Sequence, residues 1–260
     1  MLASFTKKDP PPHRVKPVPI AVLRNVSATA SASQCPIQQA TADMIILAFF
    51  FLLRPGEYTA KAATEDAHPF LLENVQLFIG PTHRLDLFDA TPAQLQQATF
   101  ATLTFANQKN GIKDEVVGHA RSGDPYLCPV LALIRRVIHL RHHNAPRNTP
   151  LATAYHLALP VAILPANITQ ALRIAVTIIG PSLGFLPSDV SARCLRAAGA
   201  TALLCADVDT CHIQLLGRWR SDEMLRYLHL QAQPLMKDFS RKMLHGGAFT
   251  LIPNQLVPSY

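Results

Sequence analysis

The longest apolar stretch of the chain predicts a buried helix. Residues 37–53 are apolar on nearly every side, and Pro55 and Gly56 follow at once. A helix that is apolar all round packs inside a core, and a proline–glycine pair ends it. We therefore expect a central helix over residues 37–53.

Two later segments predict strands. Residues 69–79 and 97–106 are rich in Phe, Leu, Val and Thr, and Asn110-Gly111 follows the second segment. Asn-Gly is a favoured turn between paired strands, so we expect a β-hairpin over residues 98–120.

Helical patterns fill most of the remainder. The predicted helices run from Pro129 to about His142, from an N-cap at Asn167 to Ile179, from an N-cap at Ser188 or Asp189 to about Cys205, and over 210–216, 221–231 and 234–244. The expected fold class is therefore α+β, a mainly helical domain with a small antiparallel sheet.

One domain over residues 37–246 accounts for these elements. Residues 1–36 are rich in Pro, Ser and Ala and hold no sustained apolar period, so we expect a linker, a disordered arm or a DNA-contacting arm. Residues 247–260 are expected to form a C-terminal tail.

Composition narrows the partners and the compartment. The 260 residues are 49% hydrophobic, which suits one globular domain, and the net charge of +7 favours a polyanionic partner such as nucleic acid. The five cysteines are odd in number and form no CxxC pair, which argues against a disulfide framework or a zinc site. The longest apolar run, residues 44–53, is too short to span a bilayer, and no signal peptide opens the chain. We expect no membrane association and an intracellular location, nuclear in a eukaryote.

Two segments hold arginines that an anion would stabilise. In FLLRPGE, Arg54 ends the apolar helix, and it needs either Glu57 or a bound phosphate as a partner. In SARCLRAAGAT, Arg193 and Arg196 are expected to share a helix face, where their charges repel unless an anion lies between them. A solvated basic face is the alternative for this second pair.

A third segment, LLGRWRSDEMLRYLH, ends in a tyrosine. Ser221 is a good N-cap, and it would place Tyr227 in the second turn of a short helix. Trp219, the only tryptophan, is by default a core anchor, and a tyrosine in such a helix most simply packs against its neighbours.

Taken in order, these segments resemble the tyrosine recombinase (phage integrase) family, most closely the versions carried by eukaryotic mobile elements of the DIRS and Crypton kind. The resemblance is carried, within residues 45–231, by FLLRPGEYT, by QKNGIKDEVVGHARSGD with CPVLAL after it, by SARCLRAAGATALL and by LLGRWRSDEMLRYLHLQA. It implies the catalytic-domain fold of that family, double-stranded DNA as the partner, and a homo-oligomer, usually a tetramer, when assembled on DNA.

The resemblance also implies catalytic roles. Arg54 and Arg196 match the two arginines that hold the phosphate, and Lys109 matches the hairpin lysine, with Lys113 as the reserve candidate. Tyr227 matches the nucleophile. It would attack a phosphodiester, form a 3′-phosphotyrosine link and release a 5′-hydroxyl, and a second DNA end would reverse the step. This chemistry needs no metal and no other cofactor.

Two positions depart from the family pattern. Arg193 stands where the family has a histidine, and it cannot accept the tyrosine proton because arginine stays protonated. Arg218 stands where the family usually has His or Trp, and the neighbouring Trp219 could serve instead.

The helix that begins at Pro129 is expected to contact DNA phosphates. Its basic residues include the three arginines Arg135, Arg136 and Arg141. A solvated basic face is the alternative.

Other functions stay open at this point. Family members usually carry a helical DNA-clamping domain before the catalytic one, so the chain resembles a truncated recombinase. The main alternative is a catalytically inactive DNA-binding remnant of a mobile element. A type IB topoisomerase and a helical scaffold are the remaining alternatives.

Overall fold

A computed structural model describes residues 16–60, 69–105, 114–206, 208–219 and 238–249. These residues form a mixed α+β structure, mainly helical with a small antiparallel sheet, and the predicted fold class is confirmed at this level. No helix among them combines the length and hydropathy that a membrane crossing requires.

Helices and strands follow one another along the chain. The helices are α1 (Ile20–Ser33), α2 (Pro36–Phe50), α3 (Pro55–Tyr58), α4 (Pro92–Leu95), α5 (Pro129–His142), α6 (Pro165–Leu183), α7 (Cys194–Cys205), α8 (Thr210–Gly217) and α9 (Phe239–Gly246). The strands are β1 (Val75–Ile79), β2 (His83–Leu85), β3 (Phe100–Phe105), β4 (Glu115–Ala120), β5 (Thr153–His156) and β6 (Leu159–Ala162). The first four strands form an antiparallel sheet in the order β2-β1-β3-β4, and β5 pairs with β6.

The predicted central helix is α2. Every residue from 40 to 53 is buried, because α1, α5, α6 and α7 all pack against this helix. The neighbours on every side explain why α2 has no polar face. Its carboxyl-terminal end therefore lies deep in the protein, close to Arg54.

The predicted hairpin is confirmed. Strand β3 pairs antiparallel with β4, with Phe100 opposite Ala120 and Phe105 opposite Glu115. The turn predicted at Asn110-Gly111 lies outside the described residues. The earlier strand is shorter than predicted, because a 3-10 turn over Leu72–Asn74 precedes β1.

The prediction of a linker or arm over residues 1–36 is wrong for residues 20–33, which form α1. Val22, Leu23 and Val26 recur at helical spacing and are buried against the core. The interspersed Ser and Ala residues hide this period in the sequence. The backbone N–H of Ile20 also donates to the carbonyl of Gly247 at 2.7 Å, which ties the start of α1 to the end of α9.

Two predicted helix starts are also wrong. Helix α6 begins at Pro165, and the side chain of Asn167 accepts from the backbone N–H of Leu164 at 2.8 Å instead of capping from outside the helix. Helix α7 begins only at Cys194, since Pro187–Asp189 forms a separate 3-10 turn. The predicted helix over 221–231 lies outside the described residues, and α9 covers the later part of the helix expected at 234–244.

Candidate functional site

Four charged side chains from three separate segments meet beside the carboxyl-terminal end of α2. Glu57 joins two of them: its Oε1 accepts from Arg54 at 3.1 Å, and its Oε2 accepts from Arg218 at 3.1 Å. Arg196 lies close enough to interact electrostatically with the other three. We call Arg54, Glu57, Arg196 and Arg218 the arginine cluster.

A tight turn after α2 sets the direction of Arg54. The backbone N–H of Arg54 donates to Glu57 Oε2 at 2.7 Å, and the backbone N–H of Glu57 donates to the Arg54 carbonyl at 2.8 Å. These reciprocal bonds fix the carboxylate against the turn. The Arg54 side chain remains 34% exposed, so its guanidinium can still reach a ligand.

Arg196 is a partly buried cation that lies close to two other cations. Its Nη2 donates to the carbonyl of Gly217, and its Nη1 is buried with no hydrogen-bond partner among the described residues. Burial lowers the pKa of Arg196 to about 9, and the nearby charges of Arg218 and Arg54 contribute to this lowering. A bound anion would give the free N–H groups an acceptor and oppose this repulsion.

The indole of Trp219 forms one wall of the cluster. The guanidinium carbon of Arg196 lies 4.4 Å from the ring centroid, and the ring is 38% exposed. The chain can fold back this way because Arg218 adopts a left-handed conformation with φ of 57°. Trp219 is therefore a partly exposed partner of Arg196 and not a core anchor.

Gly217 leaves the space that Trp219 occupies, since a Cβ atom at this position would collide with the indole ring. We expect Gly217→Ala to push Trp219 away from Arg196. The only tryptophan reports this displacement directly: its emission should shift to longer wavelength, and acrylamide should quench it more strongly. Ala200→Gly, on α7, is the control and should leave the emission unchanged. Unchanged emission in Gly217→Ala would contradict the packing described here.

Arg193 does not join the cluster. It precedes the first residue of α7 and is exposed, and its backbone N–H donates to the Ser191 hydroxyl at 3.3 Å. The prediction that Arg193 and Arg196 share a helix face is therefore wrong. The cause is the late start of α7, which the sequence pattern did not reveal.

Arg218 joins the cluster from inside the protein. Its side chain is fully buried, and its guanidinium donates to acceptors of the protein itself. This position argues against a direct contact between Arg218 and a DNA phosphate, although the resemblance places Arg218 where the family usually has a catalytic His or Trp. Lys109, Lys113 and Tyr227 lie outside the described residues, and their roles stay predictions.

The structure contradicts a DNA contact by Arg136. This residue of α5 is only 1% exposed, and its guanidinium donates to the carbonyls of Leu151, at 3.0 Å, and Thr153. Arg136 therefore joins α5 to β5 and offers no donor to a phosphate outside.

The other two arginines of α5 are also held by the protein. Arg135 pairs with the fully buried Asp43 at 2.7 Å, and Arg141 donates to two backbone carbonyls within residues 88–90, at 2.6 and 2.8 Å. Burial of a carboxylate without a cation is costly, so the pairing with Arg135 is first of all structural. The protein holds both guanidinium groups in place, but the two side chains are partly exposed, so DNA contacts by Arg135 and Arg141 stay predictions.

Sequence reasoning missed two residues that shape the cluster. The ring of Phe105, at the end of β3, lies 3.8 Å from the guanidinium carbon of Arg218, and Gly217 admits Trp219. A glycine two residues before the only tryptophan is a sequence sign of close packing there, whereas no residue near Phe105 in the sequence indicates its contact with Arg218.

Neither a scan of known protein families nor searches of curated proteins and of solved structures find a match for this chain. The function must therefore be argued from the chain's own residues.

Proposed function

We propose that this chain is a DNA strand-transfer enzyme of the tyrosine recombinase type, built with the catalytic-domain fold of that family. It breaks and rejoins DNA through a 3′-phosphotyrosine intermediate. Its substrate is double-stranded DNA, and it works as a tetramer assembled on that DNA.

The observation that carries this proposal is the meeting of Arg54 and Arg196 beside Glu57. The resemblance assigned these two arginines to one phosphate from segments more than a hundred residues apart. Their proximity is what that assignment requires. A cluster in which cations repel each other, with one guanidinium partly exposed, favours a bound anion.

The reaction follows from the charges available. The Tyr227 hydroxyl oxygen forms a bond to phosphorus while the bond to the 5′-oxygen breaks. Arg54 and Arg196 stabilise the negative charge on the non-bridging oxygens. Lys109 donates a proton to the leaving 5′-oxygen, and water accepts the proton that Tyr227 loses. Attack by the 5′-hydroxyl of a second DNA end reverses these steps.

A second candidate is a DNA-binding remnant without catalytic activity. Arg193 favours this candidate. It stands where the family motif has a histidine, it is exposed, and arginine cannot accept the proton that the attacking tyrosine must lose. Such a protein would bind DNA phosphates through the same cluster and leave the strands intact.

The two candidates differ in one product, a covalent protein–DNA adduct. The full chain is incubated with a pool of random-sequence duplexes, each nicked so that the released 5′-hydroxyl fragment diffuses away and the adduct accumulates. Denaturing electrophoresis then measures the adduct. We expect an adduct with the wild-type chain and none with Tyr227→Phe.

Tyr126→Phe is the matched control, since Tyr126 is 43% exposed and lies in the loop before α5. It should form the adduct at the wild-type rate. Binding without any adduct from the wild-type chain would overturn the enzyme proposal and leave the remnant. An adduct that persists in Tyr227→Phe would overturn the choice of nucleophile.

A further inference from the structure

Arg218 is an unusual residue for the place it occupies. It is 4% exposed and stands at the left-handed position that ends α8, where Gly or Asn is favoured. Both features are unfavourable for an arginine, because burial of a cation and a positive φ each cost free energy. The contacts of its side chain must therefore offset these costs.

The guanidinium of Arg218 is spread over four protein acceptors. Nη1 donates to the carbonyls of Phe51, at 3.0 Å, and Leu216, at 3.2 Å. Nη2 donates to the carbonyl of Leu52, at 3.2 Å, and to Glu57, at 3.1 Å. The ring of Phe105 covers one face of the guanidinium.

These contacts join the segments that carry the proposed catalytic residues. Phe51 and Leu52 follow the central helix just before Arg54. Phe105 ends the strand that precedes the segment with Lys109 in the sequence, and Arg218 itself precedes the segment with Tyr227. Carbonyls at the end of a helix have no helical N–H to accept from, and Arg218 supplies donors to those of Phe51 and Leu52.

The same contacts reach Arg54 through Glu57. One carboxylate oxygen accepts from the Arg54 guanidinium, and the other accepts from both the Arg54 backbone and Arg218. Loss of Arg218 would remove one of the two donors to Glu57 Oε2, so the carboxylate, and with it the Arg54 guanidinium, would be held less firmly in direction. The Arg218 guanidinium cannot itself contact a ligand from solvent, because its side chain is fully buried, whereas that of Arg54 is partly exposed.

We propose that Arg218 is a positioning residue of the phosphate site, which orients Arg54 through Glu57 and does not contact the phosphate. The inference rests on the proposed function, since it takes the arginine cluster to be the phosphate site. It differs from the role that the resemblance gave to Arg218.

Inorganic phosphate tests this inference without strand transfer. Its dissociation constant is measured from the emission of Trp219 in the wild-type chain, Arg218→Asn, Arg54→Met and the double variant. Asn tolerates the left-handed backbone, so this change removes the side chain without adding strain. Each measurement is made well below the unfolding temperature of that variant.

We expect Arg218→Asn to weaken phosphate binding about tenfold in the wild-type background, and less than about twofold when Arg54 is already Met. Lysine keeps the positive charge but lacks the planar set of donors of arginine. Arg218→Lys should therefore bind phosphate about as weakly as Arg218→Asn. Glu57→Gln should reproduce the effect of Arg218→Asn, and it serves as the test if the Asn variant does not fold.

An equal loss in both backgrounds would overturn the inference, because Arg218 would then contact the phosphate itself. Full recovery in Arg218→Lys would also overturn it and leave only a long-range charge effect. These outcomes do not depend on Tyr227. A wild-type chain that binds phosphate but forms no DNA adduct therefore counts against the proposed function alone.

Discussion

Replacing Arg196 by Met is expected to slow formation of the covalent DNA adduct by about 10²–10³-fold, the usual loss when one donor to a developing negative charge is removed. The nicked-duplex pool gives the measurement, taken as a single-turnover rate at saturating DNA. Methionine has an unbranched apolar side chain like the stem of arginine, so the change removes mainly the guanidinium and its charge.

The same substitution should not destabilise the folded chain. Burial lowers the pKa of Arg196 to about 9, and repulsion by Arg218 and Arg54 adds to this lowering. Its removal relieves that repulsion, while the Gly217 carbonyl loses one donor. We therefore expect an unfolding temperature equal to or above that of the wild-type chain. A slower adduct rate at an unchanged unfolding temperature would indicate that Arg196 serves ligand binding and not the stability of the fold.

Arg193→Met is the matched control, because it changes the same residue type on the same segment. Arg193 is exposed and stands outside the cluster, so its loss should leave the adduct rate within about twofold of the wild type and should weaken DNA binding only at low salt. Equal losses in the two variants would contradict the assignment of the site to Arg196.

The parts of this fold that could be predicted are those with a local cause. Helix α2 is apolar on all sides because helices surround it, and the pairing of β3 with β4 could be predicted because the Asn-Gly sequence between them favours a turn. Helix α1 has a local period too, but its short Ser and Ala residues weaken the contrast between buried and exposed positions. The buried face of α1 therefore becomes evident only when the helix is packed against the core.

The candidate site could be predicted only in part, for the same reason. The run before Pro55 shows that Arg54 ends a buried helix, so its need for an anion can be read from neighbouring residues. The acceptors of Arg218 include Phe51 and Glu57, which are remote in sequence and leave no pattern around position 218. The burial of Arg136 likewise could not be predicted, because the sequence of its helix suggests a basic surface that faces solvent.

Acid should destabilise this protein through His119, a fully buried residue of β4 whose ring packs edge-on against Phe51, with centroids 4.6 Å apart. Burial lowers the pKa of His119 from 6.5 to about 3, and the nearby backbone of Phe50 offsets this only partly. The unfolded chain binds the proton below about pH 6.5, whereas the folded chain resists it down to about pH 3. Stability is therefore complete above this window and falls as the pH drops through it.

The loss from His119 alone should be about 3 kcal/mol by pH 4. Urea unfolding from pH 7 to pH 4 measures it, with His119→Leu as the variant that cannot titrate and His83→Leu, at an exposed position of β2, as its control. The His119→Leu variant should lose much less stability on acidification than the wild-type chain and the control. Parallel pH dependences in all three chains would contradict the assignment.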